Sequence, residues 1–237
     1  SGRRPDEAEV IGRILENTDD VLRARTAKLH EIIGGPVSVL PPDTRHVDYE
    51  VIPLNISDGC LYHCKFCCVK TDSRFRVRSQ ESVLEQIREL KAHYGRNLVN
   101  YKSVFLGGHD ALAAGEEPVL YAARKAYEEF DFAQRQTPPW LFLFGSAGSW
   151  LKTDETFLTA LNRLPYRTYI NIGLESADKA TLEMLGKPIT PDLVKAAFER
   201  IISVNDRYEN VNVTANFVIG DTLDPAHIQS LIRMFRE

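Results

Sequence analysis

All four cysteines of the chain lie within nine positions, from Cys60 to Cys68, in the stretch DGCLYHCKFCC. Cys60, Cys64 and Cys67 have the spacing C-x3-C-x2-C, so three thiolates on one short loop can converge on a single metal centre. Disulfide frameworks instead spread cysteines along the chain to close loops, and a bridge between neighbouring cysteines would be strained. The cysteines therefore indicate metal binding in a reducing compartment, and we expect a cytoplasmic protein.

Zinc and an iron–sulfur cluster are the two metal centres that this spacing suggests. Structural zinc takes four ligands, commonly in two pairs, so His63 or Cys68 would have to complete its shell. Electron-transfer clusters usually take four cysteines, whereas three leave one iron open to bind a substrate or cofactor. From the residues alone, three alternatives stay open: a zinc-stabilised module that binds RNA, an iron–sulfur electron carrier and an enzyme with an open cluster.

The composition is that of an ordinary globular protein. The chain has 237 residues, of which 43% are hydrophobic and 26% charged, and its formal charge is -4. No apolar run approaches the roughly 18 residues that span a bilayer, and the N-terminal SGRRPDEAEV lacks the apolar core of a secretory signal. Nor does a negative net charge create a global basic field. We therefore expect one large domain and no membrane partner.

Short apolar strands alternate with amphipathic helices from residue 51 onward. Residues 5–33 have helical periodicity, so we assign residues 1–50 to an N-terminal helix and connector and residues 51–237 to the main domain. Strands are predicted at residues 51–56, 102–106, 140–144, 168–174 and 211–219. Helices are predicted near residues 79–95, 117–131, 154–163, 178–185, 191–204 and 225–236. This alternation predicts parallel β-α units, as in a barrel or a doubly wound sheet.

Glycine-rich or polar residues follow every predicted strand. In both kinds of parallel α/β fold, ligands bind at the carboxyl ends of the strands. The cysteine turn follows the first strand, and the groups after the later strands are Gly107-Gly108-His109-Asp110, residues 145–149, Glu175-Ser176 and residues 220–222. The sequence therefore predicts a site on one face of the sheet.

The cysteine spacing after a first strand resembles the signature of the radical S-adenosylmethionine (radical SAM) superfamily, with Phe66 as the aromatic residue before the last cysteine. Gly107 and Gly108 resemble the family's glycine-glycine-acid motif. In this chain His109 stands where the acid usually follows, and Asp110 comes one position late.

Two later segments resemble one branch of that superfamily, which contains tRNA methylthiotransferases and the oxygen-independent coproporphyrinogen oxidase. Residues 172–176 together with 185–188 resemble its fourth-strand region, and residues 216–220 resemble its fifth-strand motif. The resemblance implies an α/β fold of the partial (β/α)6 TIM-barrel type. Since we count five β-α units, we expect the sixth to be missing from this chain. An open edge at the fifth strand favours a homodimer or an exposed groove.

The resemblance also implies roles for individual residues. Cys60, Cys64 and Cys67 would hold a [4Fe-4S] cluster whose fourth iron binds SAM. Reductive cleavage of SAM, with an electron from a low-potential flavodoxin- or ferredoxin-type donor, would give a 5'-deoxyadenosyl radical in an oxygen-sensitive enzyme. The residues implied to contact SAM are Phe66, Gly107, Gly108, Asp110, Ser146, Glu175, Ser176 and Ile219. The substrate and the reaction subtype are not specified by these motifs.

Several neighbouring residues keep two interpretations. Cys68 is either buried filler or a substrate-facing thiol, and His109 is a loop histidine or a contact to the cluster or substrate. Ser176 could cap the next helix as well as contact SAM. Arg74, Arg76 and Arg78 alternate in RFRVR and form either a solvated face or a stripe that binds an anionic substrate, RNA included.

Overall fold

The computed structural model describes residues 6–37, 50–62, 64–67, 73–220 and 223–236. The chain divides into two compact units, Ser1–Val37 and Ser38–Glu237. Our predicted boundary at residue 50 adjoins residues 38–49, which lie outside the described residues, so it stays a prediction. No helix among the described residues is long and apolar enough to cross a membrane.

The N-terminal unit contains two helices, α1 (Glu7–Leu15) and α2 (Asp19–Ile33). The prediction of continuous helical structure over residues 5–33 was therefore wrong in one respect. Thr18 accepts a hydrogen bond from the backbone N–H of Val21 and caps a new helix, which separates the two segments. Gly34 ends α2 with a left-handed backbone, as a glycine at this position commonly does.

The second unit is a parallel α/β structure, and its elements follow the predicted alternation. The strands are β1 (Val51–Asn55), β2 (Ser57–Asp58), β3 (Arg76–Val77), β4 (Ser103–Gly107), β5 (Trp140–Ser146), β6 (Arg167–Glu175) and β7 (Val211–Phe217). The helices are α3 (Gln80–Tyr94), α4 (Glu116–Glu129), α5 (Ala147–Lys152), α6 (Glu155–Asn162), α7 (Lys179–Leu185), α8 (Pro191–Arg207) and α9 (Pro225–Arg236). Short 3-10 helices lie at Gly95–Asn100, Ala111–Ala114 and Phe132–Gln134.

The five long strands form one sheet in the order β1-β4-β5-β6-β7, and all their pairings are parallel. Doubly wound sheets reverse the strand order at a switch point, whereas barrel strands follow one another in chain order. The order without reversal therefore identifies a barrel-type sheet. Within the described part of the chain β1 and β7 do not pair, so the barrel is open, as expected for the partial TIM-barrel class.

The two faces of the sheet differ in chemistry. On one face, Ile170, Ile172 and Leu174 of β6 are fully buried. The opposite face of β6 carries Tyr169, on which Phe142 stacks with a ring-centroid distance of 5.5 Å. Burial of these apolar side chains stabilises the sheet and aligns the carboxyl ends of its strands.

One helix was missed by the sequence analysis. No helix was predicted between residues 145 and 153, but α5 begins directly after β5. Ser146 and Ser149 form a reciprocal capping box, in which each side chain accepts a hydrogen bond from the other's backbone N–H. Serine at both positions is a weak indicator of a helix N-terminus, because the second capping-box residue is usually Glu or Gln.

Candidate functional site

The cysteine loop, defined here by the described residues 59–62, 64–67 and 73–75, follows the carboxyl end of β1, and the antiparallel β2–β3 pair joins the segments on either side of it. Gly59 has a positive φ of 74°, and a Cβ at this position would overlap the backbone carbonyl groups of Ser73 and Arg74. Cys60 then forms an isolated bridge with Arg74. The first cysteine is thus positioned by the segment that follows the loop.

The three cysteines of the motif are free thiols with different exposure. Cys64 is buried, whereas Cys60 and Cys67 are partly exposed. The backbone N–H of Tyr62 donates to Cys60 Sγ at 3.4 Å, and the N–H of Cys67 donates to the carbonyl of Cys64 at 3.3 Å. Cys68 and His63 lie outside the described residues, so their alternative roles stay predictions.

Burial dominates the electrostatics of two of these thiols. It raises the pKa of Cys60 and of Cys64 above the usual thiol value, and their cysteine neighbours raise it further. The positive charge of Lys187 lowers the pKa of both thiols and opposes that effect. The negative charge of Asp110, by contrast, raises the pKa of Cys60. A cationic centre would reverse this balance, because metal coordination deprotonates thiols.

The donor chemistry of the loop fits an iron–sulfur cluster. Soft thiolates are the ligands of such clusters, and three on one loop leave one iron open. In the described segments, no three Cys, His, Asp or Glu side chains converge closely enough to hold a metal ion. A [4Fe-4S] cluster makes a different demand, because each thiolate binds its own iron and the three sulfurs need not meet at one point.

The middle of the cysteine loop rests on the end of α7. The backbone N–H of Lys65 donates to the carbonyl of Leu185 at 2.8 Å. Gly186 ends α7 with a φ of 66°, and a Cβ there would lie 3.0 Å from Cγ of Lys65. The end of α7, at residues 185–187, therefore packs against the middle of the cysteine loop.

A buried ion pair lies at the same end of α7. Lys187 Nζ donates to Glu175 Oε1 at 2.9 Å, and the two side chains are only 8% and 10% exposed. Glu175 has a φ of 66°, which is unusual for a residue with a side chain. A Cβ on Gly173 would overlap Glu175 Oε1 and lie 3.0 Å from Lys187 Nζ. The glycine therefore makes room for the pair.

Asp110 lies at the carboxyl end of β4 with one carboxylate oxygen satisfied and the other not. Oδ1 accepts hydrogen bonds from the hydroxyl of Ser149 at 2.7 Å and from the N–H of Ala113 at 3.2 Å. Oδ2 is buried and has no hydrogen-bond partner among the described residues. A buried carboxylate oxygen without a donor is costly unless a ligand satisfies it. Asp110 is thus a ready acceptor for a cationic or N–H group.

Gly107 and Gly108 form the turn that leads from β4 to Asp110. Gly108 has a φ of 102°. A Cβ on Gly107 would overlap Asn55 Oδ1 of β1. Their glycine identity therefore has a local structural cause in addition to the predicted approach to SAM. Burial lowers the pKa of His109, which favours the neutral imidazole.

Ser176 is fully buried in a polar network that the sequence did not reveal. Its Oγ lies 2.8 Å from Nδ1 of His227, and Nε2 of His227 lies 2.8 Å from the carbonyl oxygen of Val218. Because a carbonyl can only accept, Nε2 donates to it, and in a neutral imidazole Nδ1 then accepts from the serine hydroxyl. Asp178, rather than Ser176, caps α7, so that interpretation of Ser176 was wrong. Instead, Ser176 Oγ accepts from the Asp178 N–H at 2.9 Å.

Two arginines of the predicted anion-binding stripe contact the carboxylate of Asp58. Arg78 Nη2 lies 2.6 Å from Asp58 Oδ1, and Arg76 Nη2 lies 3.1 Å from Asp58 Oδ2. These contacts lower the pKa of Asp58, although burial alone would raise it. Two of the three predicted anion-binding side chains therefore already have an anionic partner within the chain.

Comparison with known proteins identifies the family. The sequence profile of the Radical SAM superfamily matches residues 54–235. The chain belongs to the radical SAM superfamily. Over 192 residues it is 24% identical to the ribosomal protein uS12 methylthiotransferase RimO of Pelotomaculum thermopropionicum, an alignment that covers 79% of this chain and 39% of that protein.

The radical SAM fold is also found in solved structures of similar shape. The cobalamin-dependent S-adenosylmethionine radical enzyme OxsB with aqua-cobalamin matches with a TM-score of 0.52 and 19% identity over 78% of this chain. Its complex with aqua-cobalamin and S-adenosylmethionine matches with a TM-score of 0.53 and the same identity and coverage. This chain covers 26% of each OxsB chain, so it spans less than half the length of these relatives. At this identity the likeness concerns the fold.

The residues predicted to bind SAM occupy different environments in this radical SAM protein. Asp110, Ser146, Glu175 and Ser176 are buried at the carboxyl ends of β4, β5 and β6. By contrast, Phe66 is 44% exposed and Ile219 is 85% exposed. Lys187 had no firm role in the sequence analysis although it belongs to a quoted motif. The residues around His227 did not indicate its contact with Ser176, because the two lie 51 residues apart in the sequence.

Proposed function

We propose that this chain binds a [4Fe-4S] cluster through Cys60, Cys64 and Cys67 and binds SAM at the adjoining strand ends. When bound, these groups supply an electron to the SAM sulfonium and a 5'-deoxyadenosyl radical that acts on a substrate still to be identified. Membership in the radical SAM superfamily and the three free thiols on one loop support this proposal. A low-potential electron donor and a reducing, cytoplasmic location belong to it.

The observation that carries the proposal is the unsatisfied carboxylate oxygen of Asp110. Asp110 Oδ2 is buried and has no donor among the described residues, and its charge raises the pKa of Cys60 on the cysteine loop. SAM carries an ammonium group that would donate to this oxygen. Ser149 and Ala113 fix the orientation of the carboxylate through Oδ1. The acid that is one position late in sequence would thereby fulfil the role of the family's acidic residue.

The other residues of the site would bind and orient. Gly107 and Gly108 would allow close approach of the ligand to the backbone. Glu175 would accept hydrogen bonds from ribose hydroxyl groups, and Lys187 holds its carboxylate at 2.9 Å. Ser146 and Ser176 would contribute through the capping box and the His227 network. Phe66 and the backbone near Ile219 would flank the adenine.

The first test is electron paramagnetic resonance of the anaerobically reconstituted, dithionite-reduced protein with and without SAM. We expect a reduced [4Fe-4S] signal that changes shape when SAM is added. A cluster signal indifferent to SAM would favour an electron carrier. A colourless protein with one zinc per chain would favour a zinc-stabilised module and refute the proposal.

A substitution makes the test specific to Asp110. In Asp110→Asn, one oxygen remains to accept from Ser149, but the carboxylate charge is lost. We expect the Kd for SAM to rise about 10- to 100-fold, because a hydrogen bond to a charged group contributes about 1.5–3 kcal/mol. Asp206→Asn is the matched control, since Asp206 is exposed on α8. Equal SAM affinity in the two variants would exclude Asp110 from the SAM site.

A further inference from the structure

The base of the cysteine loop is closed by a side-chain contact as well as by the β2–β3 pair. Arg78 donates to Asp58 Oδ1 from Nε at 2.9 Å and from Nη2 at 2.6 Å. The backbone N–H of Arg78 also donates to the carbonyl of Ile56 at 2.9 Å. We call Asp58 and Arg78 the clasp. It joins the residues that precede the cysteine loop to those that follow it.

The two arginines that contact Asp58 differ in how strongly they can bind it. The side chain of Arg78 is only 12% exposed and that of Asp58 is 27% exposed, whereas that of Arg76 is 80% exposed. Exposed ion pairs contribute little because water and salt screen them, while partly buried charge-assisted hydrogen bonds are stronger. Arg78 is therefore the main partner, and Arg76 supplies an internal control of the same residue type.

The clasp lies directly beside the first cysteine. Only Gly59 separates Asp58 from Cys60, and its positive φ together with its close approach to Arg74 leaves the backbone little freedom. The isolated bridge between Cys60 and Arg74 continues the same contact. A displacement of Asp58 would therefore be transmitted to the Cys60 thiol.

We propose that Asp58 and Arg78 are positioning residues for Cys60, which hold the first thiol of the motif in place for a cluster. The inference rests on the proposed function. A thiol that is already held in place loses less conformational entropy when it binds a cluster. Arg78 would thus serve the cluster rather than an anionic substrate.

The test compares Arg78→Gln with Arg76→Gln, which removes the same charge from the same segment. Both proteins are reconstituted anaerobically in parallel with the wild type. The measurements are iron per chain, the rate at which an iron chelator removes the cluster, and the thermal midpoint of the cluster-free protein. We expect chelator removal to be at least about tenfold faster in Arg78→Gln, which corresponds to about 1.4 kcal/mol. Arg76→Gln should stay within about twofold of the wild type.

Two further variants separate positioning from general stability. Arg78→Lys keeps the charge but loses the two-pronged donor geometry, so it should fold and still lose its cluster faster than Arg76→Gln. The exchanged pair Asp58→Arg with Arg78→Asp should recover part of the retention lost in Arg78→Gln. If Arg78→Gln does not fold, Arg78→Lys decides the question alone.

The outcomes distinguish this inference from the proposed function. A wild-type protein that holds a SAM-responsive cluster, together with Arg78→Gln and Arg78→Lys variants that retain it equally well, would overturn the clasp and leave the proposed function intact. A loss of retention that merely follows the thermal midpoint would also overturn it. A wild-type protein that binds no iron would overturn both.

Discussion

The buried pair of Lys187 and Glu175 offers the sharpest prediction, because its removal should destabilise the protein by a measurable amount. The side chains are 8% and 10% exposed, so water can screen little of the charge that is left behind. Breaking a buried pair by removing one partner costs about 3–5 kcal/mol. We take about 3 kcal/mol for Lys187→Met, the lower end of that range, since the pair lies at the rim of the sheet.

The thermal midpoint should fall accordingly. For a domain of this size each kcal/mol corresponds to about 2–4 °C, so Lys187→Met should melt roughly 6–12 °C below the wild type. The assay is thermal and urea denaturation of the cluster-free protein, followed by circular dichroism. The double variant Glu175→Gln with Lys187→Met should recover at least about half of the loss, because no charge then remains buried.

A second lysine on the same helix region supplies the control. Lys179 lies 3.8 Å from Glu183, and those side chains are 79% and 69% exposed. An exposed pair of this kind contributes about 0–1 kcal/mol, so Lys179→Met should shift the midpoint by no more than about 4 °C. If Lys187→Met and Lys179→Met melt alike, the burial argument for the pair is wrong.

Three further predictions concern residues away from that pair. His227→Phe should lower the free energy of unfolding by about 2–4 kcal/mol in urea titration, because Ser176 and the Val218 carbonyl each lose a buried partner. Gly59→Ala should reduce the iron bound after reconstitution at least about twofold, because its φ of 74° costs a residue with a side chain about 1–2 kcal/mol; unchanged iron would contradict this. Burial raises the pKa of Tyr166, so its stabilising contribution is present below the unfolded pKa of about 10 and is lost as pH rises above it. Tyr166→Phe should flatten that decline in urea titrations between about pH 9 and 11.

Much of the architecture could be predicted from local patterns. Parallel strands buried in a sheet are short apolar runs, and the helices between them begin with capping residues such as Thr190 followed by Pro191. These signals depend on a few adjacent residues, and the five long strands were confirmed. Two departures have local causes as well: Thr18 caps a second helix in the N-terminal unit, and the Ser146 capping box begins α5 where no helix was predicted.

The partners of the site residues could not be predicted in the same way. The sequence by itself determined the cysteine spacing, the order of the β-α units and the presence of an acid after the second long strand. Only the tertiary structure decided that Asp58 binds Arg78, that Lys187 binds Glu175 and that His227 binds Ser176. Those pairs are separated by 12 to 51 residues and form only when the carboxyl ends of the strands are brought together. Local propensity does not predict contacts between residues so far apart in the sequence, because the charge and hydrogen-bonding capacity of a side chain do not specify its partner.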